Sequence, residues 1–451
     1  MREVLQRHLE ETGSPDLRVR ECRIANTRRR DGSRGTVEYE LTLEHRVSGA
    51  TWDQRVTGAT FGGDRTRRAW ASLRQADAPA DGNGPAPGFP PFAYLPELDL
   101  LLQAFPHDYR LPALAELMAG PPADITPTLL AVFGDGAWEL AEWRAEPIQY
   151  RVDMRAILRL TVRARNCEGA SAQRQLYAKI YRDADDCRRA FTVQRAVSER
   201  AAEAAASLVA ARAIALLDGR RTMVTEALPG TSLSKIVRRG DAVAPPVRAA
   251  ARAIAQFHQL DIAVPPRSIA DETARLREAE VFLAGERPDL AAQVSTIVEA
   301  VAAGLADAPM GLIHGDLKPD HVLIDGDRVA LIDFDLAAAA DPVADVAHLV
   351  AFLGKPQERA RHRSHEPVDA AAIFVEEYFA HAPPSWRQRL PLYHAMTAIH
   401  KAVGLRRRRG VEGEGRLEDV LREAQALLGG DAHTSVPTFK RRMMRTAARA
   451  R

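Results

Sequence analysis

Two short acidic motifs lie close together in the last third of the chain. The first is HGDLKPDH at residues 314–321, and the second is DFD at residues 333–335, which begins twelve positions after the first one ends. Phosphoryl transfer needs a base beside the acceptor hydroxyl, a carboxylate that holds Mg²⁺ on the phosphates, and a lysine across them. Apolar runs flank both motifs and predict strands, so the motifs are expected to be loops at one end of a sheet. Asp316 and Asp333 are therefore candidates for the base and the metal ligand.

Lysine is rare in this chain. Of the 62 basic residues only six are lysines, at positions 179, 235, 318, 355, 401 and 440. Lysine and arginine differ chemically, since lysine is a compact point charge and arginine a planar fork. Lys318 lies two residues after Asp316, and Lys179 lies in the alternating run QLYAKIYRD, which predicts a strand. These two lysines are the candidates for contact with phosphate.

The elements that must position these residues divide the chain into five regions. Strand-like alternation dominates two regions, a linker rich in Pro and Gly separates them, and helical spacing dominates the rest apart from the strand–loop–strand unit at 311–336. Within the linker region, the spacing from Leu95 to Met118 predicts two short helices. The predicted regions are a β-meander plus helix (1–75), linker and short helices (76–145), a β-rich lobe (146–230), a helical lobe (231–436) and a basic tail (437–451).

The two strand-rich regions resemble each other at an offset near 120 residues. VEYELTLEH aligns with ILRLTVRAR, RVTGATFGGD with QLYAKIYRD, and TRRAW with CRRAF. One gap is needed and the identities are few, so chance similarity and a degenerate copy of the second lobe both remain open. If the region is a copy, Ala59 stands where the second region has Lys179, and the first copy is chemically silent.

The run HGDLKPDHVLID…VALIDFDLAAAADPVADVAHL resembles the catalytic segment of the aminoglycoside phosphotransferase family, which is part of the protein-kinase-like superfamily. The resemblance covers roughly residues 146–430. It implies an α+β, bilobal protein-kinase-like fold with a small β-rich N-lobe and a large helical C-lobe. Here an additional N-terminal α+β extension precedes the N-lobe. The order of lysine strand, acidic helix, hinge, helical block, catalytic loop and metal loop is the order that this fold requires.

The same resemblance implies roles for residues of the two motifs. Asp316 would be the catalytic base, Lys318 would neutralise the transferred phosphoryl group, and Asp333 would be the principal metal ligand. Two residues would be structural: His314 would support the catalytic loop, and Asp345 would accept hydrogen bonds from the backbone of that loop.

The resemblance also implies a nucleotide-binding set upstream. Lys179 would bind the α- and β-phosphates of ATP, with GTP not excluded. Glu226 and Ala227 match the hinge, whose backbone groups would contact the purine. An acidic residue on the following helix would pair with Lys179; Glu199 is preferred because it lies mid-helix, although Glu203 shares its helix face.

The chain departs from the family pattern at two places. His321 stands where the family usually has an Asn that binds metal, and Mg²⁺ prefers oxygen to nitrogen. Asp335 or Asp320 would then supply the missing oxygen. The turn between the first two N-lobe strands reads RVDMR instead of a glycine-rich loop, so Arg151 and Arg155 either contact phosphates or remain solvated. These departures keep a catalytically weak or inactive nucleotide-binding or interaction module as the alternative function.

The spacing after the metal motif bears on the acceptor. Protein kinases insert a long activation segment before the next helical Asp, whereas Asp333 and Asp345 are only twelve positions apart here. This favours a small hydroxylated acceptor such as a sugar, an amino alcohol or an aminoglycoside-like molecule over a polypeptide. The region 370–430 mixes carboxylates with many arginines and does not select a cationic aminoglycoside.

Composition limits the partners and the compartment. The chain has 451 residues, enough for two or more hydrophobic cores. Its net charge of +2 gives no reason to expect a nucleic acid or a membrane as a binding partner. Three widely spaced cysteines exclude a disulfide scaffold, and the N-terminus lacks a signal-peptide core, so a cytoplasmic location is expected. Besides the small-molecule acceptor, residues 1–145 are the expected place for a protein partner or for docking within the chain.

Overall fold

The structure, a computed structural model, describes most of the chain. The described residues are 1–12, 14–30, 34–75, 89–204, 207–240, 242–305, 310–353, 369–409 and 414–429. The predicted basic tail at 437–451 and residues 76–88 of the predicted linker lie outside them. The chain divides into two units: the first is Met1–Arg188 with Ala213–Ala227, and the second is Arg189–Arg212 with Leu228–Arg451.

The first unit begins with a five-stranded antiparallel sheet, which we call sheet A. Its strands are β1 (Leu17–Arg30), β2 (Arg34–His45), β3 (Thr51–Thr60), β4 (Phe92–Leu95) and β5 (Leu100–Ala104), in the order β1-β2-β3-β5-β4. Helix α1 (Arg2–Glu11) precedes β1 and buries Leu5 and Leu9 in the core of this sheet, and α2 (Arg65–Gln75) follows β3.

A second antiparallel sheet, sheet B, completes the first unit. Its strands are β6 (Trp138–Arg151), β7 (Arg155–Asn166), β8 (Ser171–Tyr181), β10 (Ala213–Leu217) and β11 (Thr222–Glu226), in the order β10-β11-β8-β7-β6. Every second residue of β7 from Ala156 to Ala164 is buried, as expected for a strand with one face in a core. That core is closed by the helices α3 (Ala113–Ala119) and α4 (Thr126–Leu130). Helix α5 (Ala184–Glu203) follows β8.

The second unit is mainly helical. Its helices are α6 (Leu233–Arg239), α7 (Ala244–Phe257), α8 (Ile269–Glu286), α9 (Ala291–Gly304), α10 (Val343–Leu353), α11 (Ala370–Ala380), α12 (Leu390–Arg409) and α13 (Glu414–Leu428). Its strands are β9 (Leu208–Ala210), β12 (Thr231–Ser232), β13 (Gly311–Ile313), β14 (Val322–Asp325), β15 (Arg328–Leu331) and β16 (Ala338–Ala340). They form one sheet in the order β12-β14-β15-β9 and a two-stranded sheet of β13 and β16.

The predicted α+β class is confirmed, with strands concentrated in the N-terminal part and helices in the C-terminal part. Two boundaries differ from the sequence prediction. Residues 92–104, assigned to the linker and to a short helix, form β4 and β5 of sheet A, and β6 begins at Trp138 rather than near 146. All five residues of β5 are buried, and a short apolar run buried on both faces carries no periodicity that separates strand from helix. Among the described residues, no helix is long and apolar enough to cross a membrane.

Candidate functional site

The two acidic motifs flank one β-hairpin of the second unit. Strand β14 begins at Val322, directly after the first motif, and pairs with β15, whose last residue Leu331 lies opposite Val322. The start of the first strand and the end of the second strand of an antiparallel hairpin lie side by side. The loop before β14 and the loop after β15 therefore meet at one end of the sheet.

Asp316 and Lys318 form an ion pair in the first loop. The Nζ atom of Lys318 donates to Oδ2 of Asp316 at 2.7 Å, and the two side chains are 31% and 29% exposed. Both groups are thus partly shielded and still reachable from solvent. The carboxylate of Asp316 is a group that can accept a proton or a hydrogen bond from a hydroxyl.

His321 lies between the two loops. Its Nδ1 lies 3.0 Å from the carbonyl oxygen of Asp316, and its Nε2 lies 3.6 Å from Oδ2 of Asp333. A carbonyl only accepts, so Nδ1 carries the hydrogen. Burial, followed by the charge of His314, lowers the pKa of His321 and favours the neutral ring. In that tautomer the lone pair of Nε2 faces Asp333, and the two groups can share a cation.

Asp333 has a left-handed backbone, with φ of 73°. Such a conformation in a residue other than glycine costs roughly 1–3 kcal/mol and persists only where neighbours enforce it. The neighbour here is Phe334, which is buried and stacks on Phe257 at a centroid distance of 5.6 Å. Asp335 follows and is half-buried. Packing of Phe334 in the core therefore fixes the direction of the acidic motif.

The second acidic motif offers carboxylates that could hold a metal ion together with substrate phosphates. In the described part of the chain, no three or more His, Cys, Asp or Glu side chains are grouped to hold a metal ion. Mg²⁺ is usually bound through one or two carboxylates, with substrate phosphates and water completing its octahedron. Asp333 and Asp335 provide carboxylates of this kind, and the Nε2 of His321 is a nitrogen donor in the place where an oxygen is preferred.

A buried carboxylate, Asp345, holds the backbone of the first loop. Its side chain is 2% exposed and accepts the N–H groups of His314 at 2.5 Å and Gly315 at 3.0 Å. His258 contributes a third contact through Nε2 at 3.2 Å, and its Nδ1 lies 2.7 Å from the hydroxyl of Tyr378. Burial alone would raise the pKa of Asp345, but the hydrogen bond from His258 and the charges of both histidines lower it overall. Asp345 therefore remains ionised.

A side-chain hydrogen bond of His314 and a steric limit at Gly315 further constrain the first loop. The Nε2 of His314 lies 2.9 Å from the carbonyl oxygen of Ile332, so this ring joins the first loop to the residue before Asp333. Gly315 has φ of 79°, and a Cβ atom there would lie 2.1 Å from the carbonyl oxygen of Leu336. No side chain can be accommodated at that distance, so the loop requires glycine at 315.

The predicted nucleotide-binding residues of the first unit lie in sheet B. Lys179 is on β8 opposite Ile157 and Met223, is 7% exposed, and has its Nζ 5.4 Å from the centre of the Tyr181 ring. Glu226 ends β11. The N–H of Ala227 donates to the carbonyl of Gln175 at 3.1 Å, so a purine would have to use other backbone groups of this segment.

The two candidate acidic partners of Lys179 both have arginine neighbours. Glu199 is 63% exposed and lies 3.9 Å from Arg195, and Glu203 is 64% exposed and lies 2.9 Å from Arg200. Both residues are on α5 within the second unit. The pairing of Glu199 with Lys179 stays a prediction.

Sequence reasoning missed the residues that support the site from a distance. His258 and Tyr378 are 120 residues apart, and neither belongs to a motif with the acidic residues. His348 lies three residues after Asp345, and its pKa is lowered to about 4 by burial, against the opposing charges of Asp316 and Asp345.

Comparison with known proteins adds the family. The profile of the phosphotransferase enzyme family matches residues 155–393, which is more than half of the 451 residues. The chain belongs to this family. The matched span of this phosphotransferase runs from the start of β7 to α12 and contains both acidic motifs. The predicted membership is confirmed, and so is the broad prediction of a kinase-like phosphotransferase. No curated protein matches the sequence.

Solved structures of kinases are similar to this phosphotransferase. A choline/ethanolamine kinase family protein from Mesorhizobium loti is 16% identical, with 68% of this chain and 95% of that chain covered and a TM-score of 0.40. The aminoglycoside phosphotransferase APH(2'')-Ib is 12% identical, with coverages of 68% and 99% and a TM-score of 0.40. Amicoumacin kinase hAmiN is 12% identical, with coverages of 69% and 95% and a TM-score of 0.45.

Proposed function

We propose that this phosphotransferase transfers the γ-phosphate of ATP, with GTP also open, to a hydroxyl group of a small molecule. The observation that carries the proposal is the meeting of Asp316, His321 and Asp333 at one end of a β-hairpin. A paired carboxylate on one loop lies beside a carboxylate suited to Mg²⁺ on the other. Positioning and charge neutralisation are most of what phosphoryl transfer demands of a protein.

In this mechanism each residue has one task. Asp316 accepts the hydrogen bond or the proton of the acceptor hydroxyl. Asp333, together with Asp335 or His321, would hold Mg²⁺, and the bound ion would neutralise charge on the phosphates. Lys179 binds the α- and β-phosphates. Lys318 pairs with Asp316 at 2.7 Å before the substrates bind, and its flexible ammonium then follows the charge that develops on the transferred group.

The charges of the helical unit favour an acceptor without multiple positive charges. Four acidic residues of the region 370–430 have arginine partners at 2.8–3.7 Å: Glu376 with Arg387, Glu377 with Arg248 and Arg252, Glu418 with Arg287, and Asp419 with Arg422. A wall for a polycationic aminoglycoside needs carboxylates whose charge is not already neutralised. These paired carboxylates favour a neutral sugar or another alcohol over a polycationic acceptor.

One observation supports the second candidate, a nucleotide-binding module with weak or no catalysis. His321 presents a nitrogen lone pair, not an amide oxygen, to the cation that Asp333 would hold. Imidazole is a poor ligand for Mg²⁺. An enzyme of this kind would bind ATP with little dependence on Mg²⁺ and would turn over slowly.

Thermal unfolding separates these candidates before any acceptor is known. ATP at 100 times its Kd adds about 2.7 kcal/mol of stability, so a bound nucleotide shifts the melting temperature. We expect a shift with ATP that grows when Mg²⁺ is added. A shift that ignores Mg²⁺ would favour the binding module, and the absence of any shift at millimolar ATP would contradict both candidates.

Enzymatic turnover then tests whether Asp316 is the general base. ADP release would be measured across a panel of sugars and amino alcohols, and the best acceptor used for variants. Asp316→Asn should reduce kcat by roughly 10²–10⁴-fold, the range of a general base, and leave the Kd for ATP unchanged. Asp325→Asn is the matched control, because this exposed carboxylate ends β14 at the opposite end of the same hairpin. Equal activity of both variants would remove Asp316 from the mechanism.

A further inference from the structure

Sheets A and B of the first unit share one topology. Each begins with three antiparallel strands and continues with a helix and two further strands. In both sheets the fifth strand in chain order pairs with the third, and the fourth strand lies at the edge. The opening strands have equal lengths, 14 residues in β1 and β6 and 12 residues in β2 and β7. A single 3₁₀ turn joins the last two strands in both sheets, and each turn ends at a left-handed residue, Asp99 or Arg221.

Register assigns the residue of sheet A that corresponds to the lysine. Two positions after the left-handed residue come Leu101 in sheet A and Met223 in sheet B. Leu101 pairs with Ala59 across β5 and β3, and Met223 pairs with Lys179 across β11 and β8. Ala59 therefore occupies the place of Lys179, and it is fully buried. Sheet A has no lysine with which to bind phosphate at this position.

The chain leaving sheet A contacts the turn between β6 and β7. Asp108, 1% exposed, accepts the N–H of Asp153 at 2.9 Å and the hydroxyl of Tyr150 at 3.0 Å through one carboxylate oxygen. The side-chain amide of Gln103, on β5, donates to the carboxylate of Asp153 at 3.1 Å. Val152, also in the turn, is buried. The contacts of Asp108 and Gln103 with Asp153 join the end of sheet A to the RVDMR turn of sheet B, and the Tyr150 hydroxyl adds a contact just before that turn.

The turn needs such support because of its own backbone. Asp153 has φ of 58°, in the left-handed region that favours glycine. A residue other than glycine stays there only when surrounding groups over-determine the conformation. In protein kinases a glycine-rich loop occupies this position and covers the phosphates of ATP. Here the turn contains no glycine, and hydrogen bonds from outside sheet B hold its shape.

We propose that sheet A is a degenerate copy of the lysine-bearing sheet and acts as a clamp that fixes the β6–β7 turn for nucleotide binding, with Asp108 as the positioning residue. The functional part of this inference rests on the proposed use of ATP. The clamp itself rests on the contacts of Asp108 and Gln103 with Asp153. A flexible glycine-rich loop loses conformational entropy when it binds a nucleotide, and this loss weakens binding. The clamp orders the β6–β7 turn before binding and so reduces the loss.

The test compares Asp108→Ala with Val19→Ala in the full-length chain. Val19 is buried in the core of sheet A, pairs with Leu43 and belongs to none of these hydrogen bonds. Val19→Ala therefore lowers the stability of sheet A, as Asp108→Ala does, but leaves the contacts of the turn intact. Hydrogen exchange of the amides at 151–155, measured without nucleotide, reports the clamp. The KM for ATP and the kcat report its use.

We expect Asp108→Ala to speed exchange in the turn and to raise the KM for ATP about tenfold, because only a tenth of the molecules would then hold the binding-competent turn. The kcat at saturating ATP should stay within about threefold. Val19→Ala should leave exchange in the turn and the KM unchanged. Unchanged exchange in Asp108→Ala would overturn the clamp, and faster exchange with an unchanged KM would overturn its role in nucleotide binding.

A milder variant guards against misfolding of Asp108→Ala. Asp153→Gly keeps the N–H that donates to Asp108 but removes the contact with Gln103 and the left-handed strain. Exchange at 151–155 should rise in this variant too, by less than in Asp108→Ala, and exchange as slow as in the unaltered chain would contradict the clamp. If the unaltered chain fails to bind ATP, the proposed function fails, while the exchange data still decide whether sheet A holds the turn.

Discussion

Asp345→Asn tests whether one buried carboxylate holds the first acidic loop in place. The substitution keeps the size of the side chain but replaces one acceptor oxygen with an NH₂ group. Asp345 accepts two backbone N–H groups and contacts His258, so the asparagine can satisfy only part of this set. At least one N–H of His314 or Gly315 would then face another donor inside the core.

The size of the effect follows from burial. A hydrogen bond to a charged group contributes about 1.5–3 kcal/mol, and leaving a buried donor without a partner adds a desolvation penalty of about 1–3 kcal/mol. We expect the native conformation of the loop to lose about 3 kcal/mol of stability, which corresponds to roughly a 100-fold change in an equilibrium or a rate. Asp316 lies two residues after His314, so this loss should appear in turnover as well as in local stability.

Two measurements check the expectation. Hydrogen exchange at the amides of 314–317 should speed up by roughly 100-fold if the loop opens through the predicted loss. ADP release should fall by a similar factor with the KM for ATP little changed. Asp325→Asn, at the exposed end of the β14–β15 hairpin, is the control and should change neither quantity. Exchange and turnover of Asp345→Asn within threefold of the unaltered enzyme would refute the reasoning.

Three further predictions concern the metal, the loop and acid stability. His321→Asn should raise the ratio of activity with Mg²⁺ to activity with Mn²⁺ at least about fivefold, because an amide oxygen suits Mg²⁺ better than imidazole nitrogen does; an unchanged ratio in ADP-release assays would argue against a metal contact. Gly315→Ala should abolish turnover, since its Cβ would lie 2.1 Å from the carbonyl of Leu336, and near-normal kcat would show that the loop is not so constrained. Hydrogen bonds from Arg248 and Arg252 lower the pKa of Glu377 to about 2, so its contribution to stability is complete above the unfolded pKa near 4.3 and disappears as the pH falls through 2. Thermal unfolding at pH 6 should therefore show a lower melting temperature for Glu377→Gln than for the unaltered chain, with a loss of about 1 kcal/mol in the free energy of unfolding. This difference should shrink as the pH falls toward 2.

The motifs could be predicted from the sequence because their geometry is local. Asp316, Lys318 and His321 lie within six residues, and Asp333 follows one hairpin later, so adjacent loops were the expected outcome of two short strands. The α+β class followed from the switch between alternating and helical spacing. Phe334, an apolar residue between two carboxylates, anchors the second acidic motif in the core.

The long-range supports could not be predicted in this way. Asp345 was expected from the resemblance, but its partners were not: His258 and Tyr378 reach it only through the packing of α7, α10 and α11, and both residue types also occur in cores without any function. Strands β4 and β5 were hidden because a linker rich in proline and glycine precedes them and because β5, buried along its whole length, lacks the alternation of a half-buried strand. Their discovery matters most, since the matching strand order of sheets A and B appears only once these two strands are counted.

Both departures from the family pattern lie where the resemblance implies contact with the nucleotide or its metal, and in each case neighbouring groups fix the residues that are present. Where a glycine-rich loop would adapt to the phosphates, the β6–β7 turn is held by Asp108 and Gln103. Where an asparagine oxygen would bind Mg²⁺, His321 is held by the carbonyl of Asp316 in the tautomer that presents a lone pair. The ordered β6–β7 turn favours an active phosphotransferase, because it presents a fixed backbone to a nucleotide. The nitrogen donor of His321 favours weak catalysis with Mg²⁺, because Mg²⁺ prefers oxygen ligands. Thermal unfolding with ATP, with and without Mg²⁺, decides between the two.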